Sequence, residues 1–258
     1  MTEQQITPEQ AERLRQIFAR CVEKMKDVVR EFEITQDELH IAGDYLNRLG
    51  KSGFSRSLVD MSLALTSADI TSPATGTRGN LEGPLHRQGH KLRADGNLIE
   101  RPLKPGEKRL TLMGIVTDAR SGAPLPGAKL DFWQTDGHGD YDREGDHMRG
   151  VVVADKDGRY RVHTVVPRDY AEHDHDPIGE LLRAMGRPNR RAAHIHVKGF
   201  IDGREVLTTQ LFIAGSEYLD CDYVEGAVSD DLVLTLESDG EDGFRASFDF
   251  ALDVGDRA

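Results

Sequence analysis

Two histidines separated by one residue are the first feature of this chain that could support chemistry. His194 and His196 lie in the run R-R-A-A-H-I-H-V-K-G-F, from Arg190 to Phe200, which otherwise favours a strand. Because successive side chains of a strand point to opposite faces, both imidazoles project from the same face. The pair is a candidate for metal binding, although a solvated polar face explains it equally well.

Two tyrosines are candidates to complete such a site. Tyr141, in G-H-G-D-Y-D, and Tyr170, in V-V-P-R-D-Y, each follow a strand-like run, where a rigid scaffold can aim a side chain. A free phenol ionises only at about pH 10, so it binds a metal only when a strongly Lewis-acidic ion offsets that cost. Two phenolates with two neutral imidazoles form a hard site that suits iron(III). Spacing alone does not show that the four side chains meet.

Other candidate metal ligands are weaker. His173 and His175, in A-E-H-D-H-D-P, lie in a stretch that favours an exposed loop, which cannot preset ligand geometry. The acidic segment D-G-H-G-D-Y-D-R-E-G-D-H lacks the calcium-loop pattern. Cys21 and Cys221 are the only cysteines, so no disulfide framework or cysteine-based zinc motif is present. We therefore expect nitrogen and oxygen ligands for any metal.

The composition excludes several classes of protein. The chain has 258 residues, of which 38% are hydrophobic and 30% charged, as expected for one large domain or a domain with an appendage. Its net charge of −12, without a long basic stretch, argues against nucleic-acid binding. The sequence has no apolar span of about 18 residues, and its N-terminus lacks the build of a secretory signal. We expect a soluble, cytoplasmic protein that binds neither nucleic acid nor membrane.

The N-terminal part of the chain has a helical pattern. Apolar residues recur at spacings of three and four, and T-P-E-Q from Thr7 is a capping-box start with proline at the first helical position. Because each helix has one apolar stripe, we expect them to pack on the following domain or on a second subunit. The predicted helices run from Pro8 to about Phe32, from Thr35 to Leu49 with an end at Gly50, and from Ser55 to Ala68.

The rest of the chain has a strand pattern. From Lys108 onward, short strand-like runs alternate with turn signals such as Asp157-Gly158. This pattern predicts an antiparallel β-sandwich, and the whole chain an α+β fold. The predicted organisation is a helical region at 1–70, a linker rich in Gly, Pro and Asn at 71–107, and a β-sandwich domain at 108–258.

A series of short motifs extends through the chain from about Leu81 to Leu232. In their order and separations these motifs resemble the intradiol ring-cleavage dioxygenases. The helical N-terminal region is similar to that of the group that contains catechol 1,2-dioxygenase and hydroxyquinol 1,2-dioxygenase. The motifs are G-I-V-T-D from Gly114, P-L-P-G-A-K-L-D-F-W-Q from Pro124, G-D-Y-D from Gly139, R-G from Arg149, D-G-R-Y from Asp157, V-V-P-R-D-Y from Val165, R-R-A-A-H-I-H from Arg190 and L-T-T-Q from Leu207.

The resemblance implies a metal centre and a reaction. It implies one non-haem iron(III) per subunit, held by Tyr141, Tyr170, His194 and His196. In the family, the tyrosine at the position of Tyr170 leaves the metal when catechol binds and takes a substrate proton. Arg191 matches an arginine that steadies charge on the substrate ring, and Gln210 matches a glutamine close to the metal. The implied reaction cleaves the bond between two hydroxylated ring carbons, and both atoms of O₂ enter a muconate product.

The resemblance also locates a substrate pocket in the segment 71–107. The motif N-L-E-G-P-L, which starts at position 80, resembles the I-E-G-P-L of catechol enzymes. This match implies that Leu81, Pro84 and Leu85 form an apolar pocket wall. Such a wall favours an unsubstituted or weakly polar ring.

The chain departs from the family pattern at two places. The residue between Arg191 and Ala193 is Ala192, where the family usually has proline, and we expect this change to loosen the backbone that holds the arginine. The loop D-Y-V-E-G-A brings Glu225, followed by Gly226, to a position where catechol enzymes carry a pocket aromatic. A carboxylate there suits a ring with an additional hydroxyl or amino group.

These observations leave three functional hypotheses. The leading one is a catechol 1,2-dioxygenase that forms cis,cis-muconate, and its nearest alternative is a hydroxyquinol or substituted-catechol 1,2-dioxygenase. A metal-free β-sandwich binding module is the remote alternative, because a fold alone does not determine a function. The resemblance further implies a homodimer formed through the N-terminal helices, with bound lipid as an additional expectation at that interface.

Overall fold

The structure is a computed structural model that describes residues 6–72, 75–240 and 243–255. Four helices precede the sheet region, and a fifth lies within it. Among the described residues, no helix combines the length and the apolarity needed to cross a bilayer. The helices are α1 (Pro8–Glu31), α2 (Gln36–Ser52), α3 (Ser55–Ser62), α4 (Ala64–Thr71) and α5 (Pro177–Ala184).

The strands lie between Arg109 and Leu252. The strands are β1 (Arg109–Asp118), β2 (Lys129–Gln134), β3 (Arg149–Val153), β4 (Arg159–Val165), β5 (Tyr170–Ala171), β6 (Arg190–Arg191), β7 (His194–Ile201), β8 (Arg204–Ile213), β9 (Val233–Leu234), β10 (Glu237–Ser238), β11 (Gly243–Ser247) and β12 (Phe250–Leu252).

The chain divides into two compact units, one up to Ser55 and one from Arg56 onward. The first unit contains α1 and α2, and the second contains the remaining helices and every strand named above. The boundaries predicted from the sequence, at residues 70 and 107, stay predictions.

Local capping determines where the first two helices begin and end. The hydroxyl of Thr7 accepts a hydrogen bond from the Gln10 amide at 3.2 Å, and the Gln10 side chain accepts one from the Thr7 amide at 2.8 Å. This capping box satisfies two backbone donors that would otherwise be unpaired. The predicted end of α2 at Gly50 is wrong, because Gly50 remains helical. The helix ends at Gly53, whose φ of 82° is readily adopted only without a side chain.

The third predicted helix is interrupted. Instead of one helix from Ser55 to Ala68, the structure has α3 and α4, with Leu63 between them at φ −123°. The Ser62 hydroxyl donates to the Leu58 carbonyl at 2.7 Å. A serine bound in this way to the preceding turn weakens and bends a helix, which accounts for the break.

The strands form a β-sandwich, as predicted. One five-stranded sheet has the order β10-β11-β1-β12 with β4 paired to β1, and the other has the order β3-β2-β7-β8-β9. Rings from both sheets meet in the core, where Phe132 of β2 stacks on Tyr160 of β4 at 6.1 Å between centroids. Most strand pairs are antiparallel, but β1 runs parallel to β11 and β12, and β8 runs parallel to β9.

The alternation of side chains in β7 gives the second sheet two different faces. Val197 is aligned with Phe132, so it lies on the core face, and it is fully buried. His194 and His196 therefore lie on the opposite face, which we call the site face. Each of the two histidines is only 2% exposed, so the loops that cover this face shield it from solvent.

Candidate metal centre

The four side chains predicted to bind a metal lie together on the site face. The Nε2 atoms of His194 and His196 are 3.0 Å apart. The ring centroids of Tyr141 and Tyr170 are 5.3 Å apart, that of Tyr141 lies 6.4 Å from His196, and that of Tyr170 lies 5.8 Å from His194. The structure thus brings the four residues, which we call the four-ring cluster, to one place.

The two imidazoles are oriented towards a common point. The Nδ1 atom of His194 donates to the Ala192 carbonyl at 2.6 Å, so its Nε2 atom presents a lone pair. The His196 ring stacks on Trp133, with 4.6 Å between centroids and an interplanar angle of 4°. Burial, together with the charge of Arg191, lowers the pKa of both histidines well below the ordinary value. Both imidazoles are therefore neutral, which is the form that binds a metal.

The two phenols differ from an ordinary buried tyrosine pair. Burial raises the pKa of Tyr141 and of Tyr170 well above the ordinary value. The nearby Tyr170 hydroxyl acts to lower the pKa of Tyr141, against the larger effect of burial. Within the part of the chain that the structure describes, however, the buried Tyr141 hydroxyl has no partner at hydrogen-bond geometry. An unpaired buried hydroxyl is costly, and a cation bound to its oxygen would compensate for that cost. The donor set of two phenol oxygens and two imidazole nitrogens fits iron(III).

Arg191 lies beside the four-ring cluster in a fully hydrogen-bonded setting. Its Nε atom donates to both carboxylate oxygens of Asp222, at 2.8 and 3.0 Å, and its Nη2 atom donates to Gln210 at 2.7 Å. Although burial favours deprotonation, Asp222 keeps the pKa of Arg191 above its ordinary value. The arginine is therefore a fixed positive charge next to the metal candidate. We call Arg191, Asp222, Gln210 and the Ala192 amide the Arg191 cluster.

Ala192 does not loosen this arrangement, contrary to our expectation. Its backbone N–H donates to Asp222 at 2.9 Å, a bond that proline cannot make. Its carbonyl accepts the hydrogen bond from His194 described above. Ala192 thus connects the Arg191 cluster to the four-ring cluster through its backbone.

The segment predicted to form the pocket wall passes over the site. A Cβ atom added to Gly83 would lie 3.5 Å from Cε1 of His196. The Leu81 carbonyl accepts a hydrogen bond from Gln210 at 2.8 Å, and the Leu85 carbonyl accepts one from Arg149 at 2.9 Å. Leu81 and Leu85 are half-buried, whereas Pro84 is exposed.

Glu225 and Gly226, the other predicted pocket residues, are both exposed. The backbone amide of Glu225 donates to the Met61 carbonyl at 3.1 Å. In the same loop Tyr223 is 4% exposed. The buried aromatic of this loop is therefore Tyr223, two positions before the residue singled out in the sequence.

A polar pair that the sequence analysis missed also lies near Arg191. The Tyr223 hydroxyl donates to the Glu172 carboxylate at 2.6 Å, and the Arg191 guanidinium lies 5.9 Å from the Tyr223 ring centroid. Glu172 is two positions after Tyr170, so the period of an extended chain could have indicated that it shares the face of that tyrosine. No signal in the sequence connects it to Tyr223, which is 51 residues away.

One of the two histidines in A-E-H-D-H-D-P is buried, contrary to the prediction. The exposed loop predicted for both histidines of A-E-H-D-H-D-P is wrong for His173, which is fully buried, and right for His175. His173 lies 2.7 Å from the Asp176 carboxylate, and its ring meets that of Tyr223 edge-on. It supports the Tyr223 loop and is not part of the four-ring cluster.

Comparisons with known proteins agree on one family. The family model described as Dioxygenase matches residues 81–254, and the one described as Catechol dioxygenase N terminus matches residues 11–57. The chain is 32% identical over 253 residues to a 6-chlorohydroxyquinol 1,2-dioxygenase of Cupriavidus pinatubonensis, which covers 93% of this chain and 90% of that protein. It is 31% identical over 239 residues to a catechol 1,2-dioxygenase of Acinetobacter baylyi, which covers 84% and 76%.

A solved structure shows the same architecture. The 3-chlorocatechol 1,2-dioxygenase from Rhodococcus opacus 1CP aligns with a TM-score of 0.84 and 28% sequence identity. The alignment covers 94% of this chain and 99% of that one. The sequence and structural similarities therefore extend over both the helical and the sheet regions.

Proposed function

We propose that this chain, which belongs to the intradiol ring-cleavage dioxygenase family, cleaves catechol between its two hydroxylated carbons with O₂ and releases cis,cis-muconate. The convergence of the two histidines and two tyrosines on the site face is the observation that carries this proposal. The relatives named above act on catechol, on 6-chlorohydroxyquinol and on 3-chlorocatechol, so they support a 1,2-dioxygenase without selecting its substrate.

The proposed cofactor is one iron(III) per chain. Tyr141, Tyr170, His194 and His196 would hold it. Bound there, the ion would act as a Lewis acid and template that makes the coordinated catecholate reactive towards oxygen. The neutral imidazoles, and a Tyr141 hydroxyl without a protein partner, support this assignment.

The remaining steps belong to the side chains around that centre. Tyr170, which would be a phenolate when it binds the ion, would take a proton from a catechol hydroxyl and become a neutral phenol. Its backbone is held in β5 opposite Arg191. Arg191 would steady the negative charge on the ring, because Asp222 and Gln210 fix its position. The segment 81–85 would limit the access of water to the ring, since Gly83 lies over His196.

A hydroxyquinol or other substituted catechol is the second candidate substrate, and one observation favours it. The Glu172–Tyr223 pair brings a carboxylate and a hydroxyl close to Arg191. The carboxylate could accept a hydrogen bond from a third ring substituent, and the hydroxyl could donate one to it. A site built to bond such a group discriminates strongly against the analogue that lacks it.

We further propose that the N-terminal helices form a homodimer. Helix α1 has no buried residue, and a run of 24 residues is about 36 Å long. Its apolar side chains include Phe18, which is 69% exposed, and Met25, which is 67% exposed, and Phe32, directly after its end, is 69% exposed. A second copy of this helix offers the same long apolar stripe, so it is the partner that we propose. A lipid held between the helices is a further expectation, and mass spectrometry of organic extracts would detect it.

The first experiment is a visible absorption spectrum of the iron-loaded chain, recorded before and after anaerobic addition of catechol and, separately, hydroxyquinol. We expect a tyrosinate-to-iron(III) charge-transfer band that shifts with each diol, and the diol that binds more tightly indicates the substrate class. Muconate formation in air then tests turnover. A chain that stays colourless after iron reconstitution would exclude the proposed centre and favour a metal-free binding module.

A further inference from the structure

A second group of possible metal ligands lies on the site face, apart from the four-ring cluster. It consists of His86 and His90, from the segment that follows the pocket wall, and Asp131 of β2. One ligand atom from each of the three lies within 4.8 Å of the others. Their side chains are 10%, 2% and 8% exposed, respectively. The proposed catechol chemistry uses none of them.

The carboxylate of Asp131 faces one imidazole with each oxygen. Its Oδ2 atom lies 3.3 Å from Nε2 of His86, and its Oδ1 atom lies 2.6 Å from Nδ1 of His90. A tetrahedral ion with bonds of about 2.0–2.2 Å holds its ligand atoms about 3.4 Å apart. Asp131 would bind through one of its oxygens, and the three ligand atoms, which lie within 4.8 Å of one another, would need to draw together by at most about 1.4 Å.

The outer nitrogen of His86 lies at ion-pair distance from a carboxylate. Its Nδ1 atom lies 3.3 Å from Oε1 of Glu82, and the other oxygen of Glu82 accepts a hydrogen bond from Lys198 at 3.0 Å. Metal-bound histidines usually donate their second ring N–H to a carboxylate, which leaves the other nitrogen as a lone pair. In this arrangement Glu82 would direct the lone pair of His86 towards Asp131.

We infer that His86, His90 and Asp131 form a second metal site for a divalent ion of the zinc type, with Glu82 as the carboxylate that orients His86. Two imidazoles and a carboxylate suit such ions, whereas the phenol-rich four-ring cluster suits iron(III). Three protein ligands leave one tetrahedral position for water.

The position of this site assigns it a structural role. His86 directly follows Leu85, so an ion there would fix the end of the pocket wall to β2. Trp133 lies between the two sites, since its ring meets His86 at 4.6 Å and stacks on His196 at 4.6 Å. The ion would thus hold the pocket wall in place without touching the substrate.

The test is the metal content of the full-length, iron-loaded chain after equilibration with Zn²⁺ and removal of free ion. We expect about one zinc per chain in addition to iron, measured by inductively coupled plasma mass spectrometry. Asp131→Asn and His86→Gln should each weaken zinc binding at least tenfold, and Glu82→Gln by about 10–100-fold. His40→Ala, a change at an exposed histidine of α2, is the matched control and should bind zinc like the wild type.

Two further measurements make the result decisive. The Tyr141→Phe variant should retain the zinc, which would show that the ion does not occupy the four-ring cluster. X-ray absorption at the zinc edge of the wild-type chain should show imidazole nitrogen and carboxylate oxygen at about 2.0–2.2 Å, whether or not the variants fold. If the wild type holds no more zinc than Asp131→Asn and His86→Gln, the cluster is a hydrogen-bonded network only and the inference is wrong. The iron charge-transfer band reports separately on the proposed function.

Discussion

The four-ring cluster and the Arg191 cluster are neighbouring buried polar groups that are satisfied in opposite ways. In the Arg191 cluster, Arg191 donates hydrogen bonds to Asp222 and Gln210, and the Ala192 amide donates another to the Asp222 carboxylate. In the four-ring cluster, by contrast, the Tyr141 hydroxyl has no hydrogen-bond partner among the described residues. The polar groups of the Arg191 cluster find their partners within the protein, whereas the Tyr141 hydroxyl of the four-ring cluster would find one in a bound ion.

This difference separates residues that would bind the cofactor from residues that stabilise the fold around it. A buried polar group without a partner lowers stability unless a ligand binds it. Such a group therefore contributes to ligand binding and not to the stability of the ligand-free fold. A fully paired group stabilises the fold and fixes a charge in position. Substitutions in the two clusters should therefore affect iron binding and stability independently.

The largest expected effect on activity comes from Tyr141→Phe. This change removes only a buried hydroxyl that has no hydrogen-bond partner among the described residues, so the iron-free variant should be at least as stable as the wild type, with a gain in free energy of unfolding of up to about 1–3 kcal/mol. Without that ligand, the charge-transfer band should be lost or strongly altered, and turnover should fall by roughly 10³-fold or more, equivalent to about 4 kcal/mol. Urea unfolding of the iron-free chain, iron analysis and a muconate assay check the three expectations. A large loss of iron-free stability would contradict the comparison.

The opposite pattern is expected for Asp222→Asn. Removing one partner of a buried ion pair leaves an uncompensated charge, which typically costs about 3–5 kcal/mol of stability. Iron should remain bound, because the hydrogen bonds described for Asp222 come from Arg191 and from the Ala192 and Val224 amides and not from the four-ring cluster. A misplaced Arg191 should lower kcat by about 10²-fold. Asp220→Asn, an exposed change in the same loop, is the control. Loss of iron together with unchanged stability would show that Asp222 supports iron binding and does not stabilise the fold.

A smaller effect is expected for Ala192→Pro, which tests the backbone bond between the clusters. Proline removes the N–H that donates to Asp222, so the unfolding free energy should fall by about 1–3 kcal/mol. Ala192→Gly keeps this donor and adds only flexibility, at a cost of about 0.5–1 kcal/mol. If the proline variant were as stable as the wild type, the N–H of Ala192 would have no part in holding Asp222.

The sequence predicted the four-ring cluster better than the Arg191 cluster, for a physical reason. Strand alternation is local, so it indicated that His194 and His196 share a face without any tertiary information. Their positions after strand-like runs made Tyr141 and Tyr170 candidates, but only the family motifs indicated that they join the two histidines. Asp222 contacts Arg191 across 31 residues, and nothing periodic connects the two positions.

Helix ends in the first unit show the same limit, namely that the sequence predicts only features set by neighbouring residues. The start of α1 at Pro8 was predictable, because the capping box is contained within four residues. The end of α2 was placed three residues early, because Gly50 and Gly53 are indistinguishable until the backbone shows which has a positive φ.

The smallest expected effect concerns Asp136, a buried carboxylate outside both clusters whose basic partners Arg101 and Lys104 are partly exposed. Burial acts to raise its pKa, but hydrogen bonds from Lys104 and from the His138 and Asp140 amides lower it from 3.8 to about 2. Because the folded-state pKa is lower than the unfolded one, this carboxylate stabilises the fold above about pH 4, and the contribution is lost as the pH falls towards 2.

Asp136→Asn should therefore be slightly less stable than the wild type at pH 7, and the difference should shrink between pH 4 and pH 2. Urea unfolding of both iron-free chains across that range measures it, with Asp140→Asn as the exposed control. The effect should stay well below that of Asp222→Asn, because Lys104 and Arg101 are partly exposed and solvent screens their charges more than that of the buried Arg191. Equal losses at pH 7 would mean that burial of the basic partner does not distinguish the Arg191 cluster from the Asp136 ion pairs.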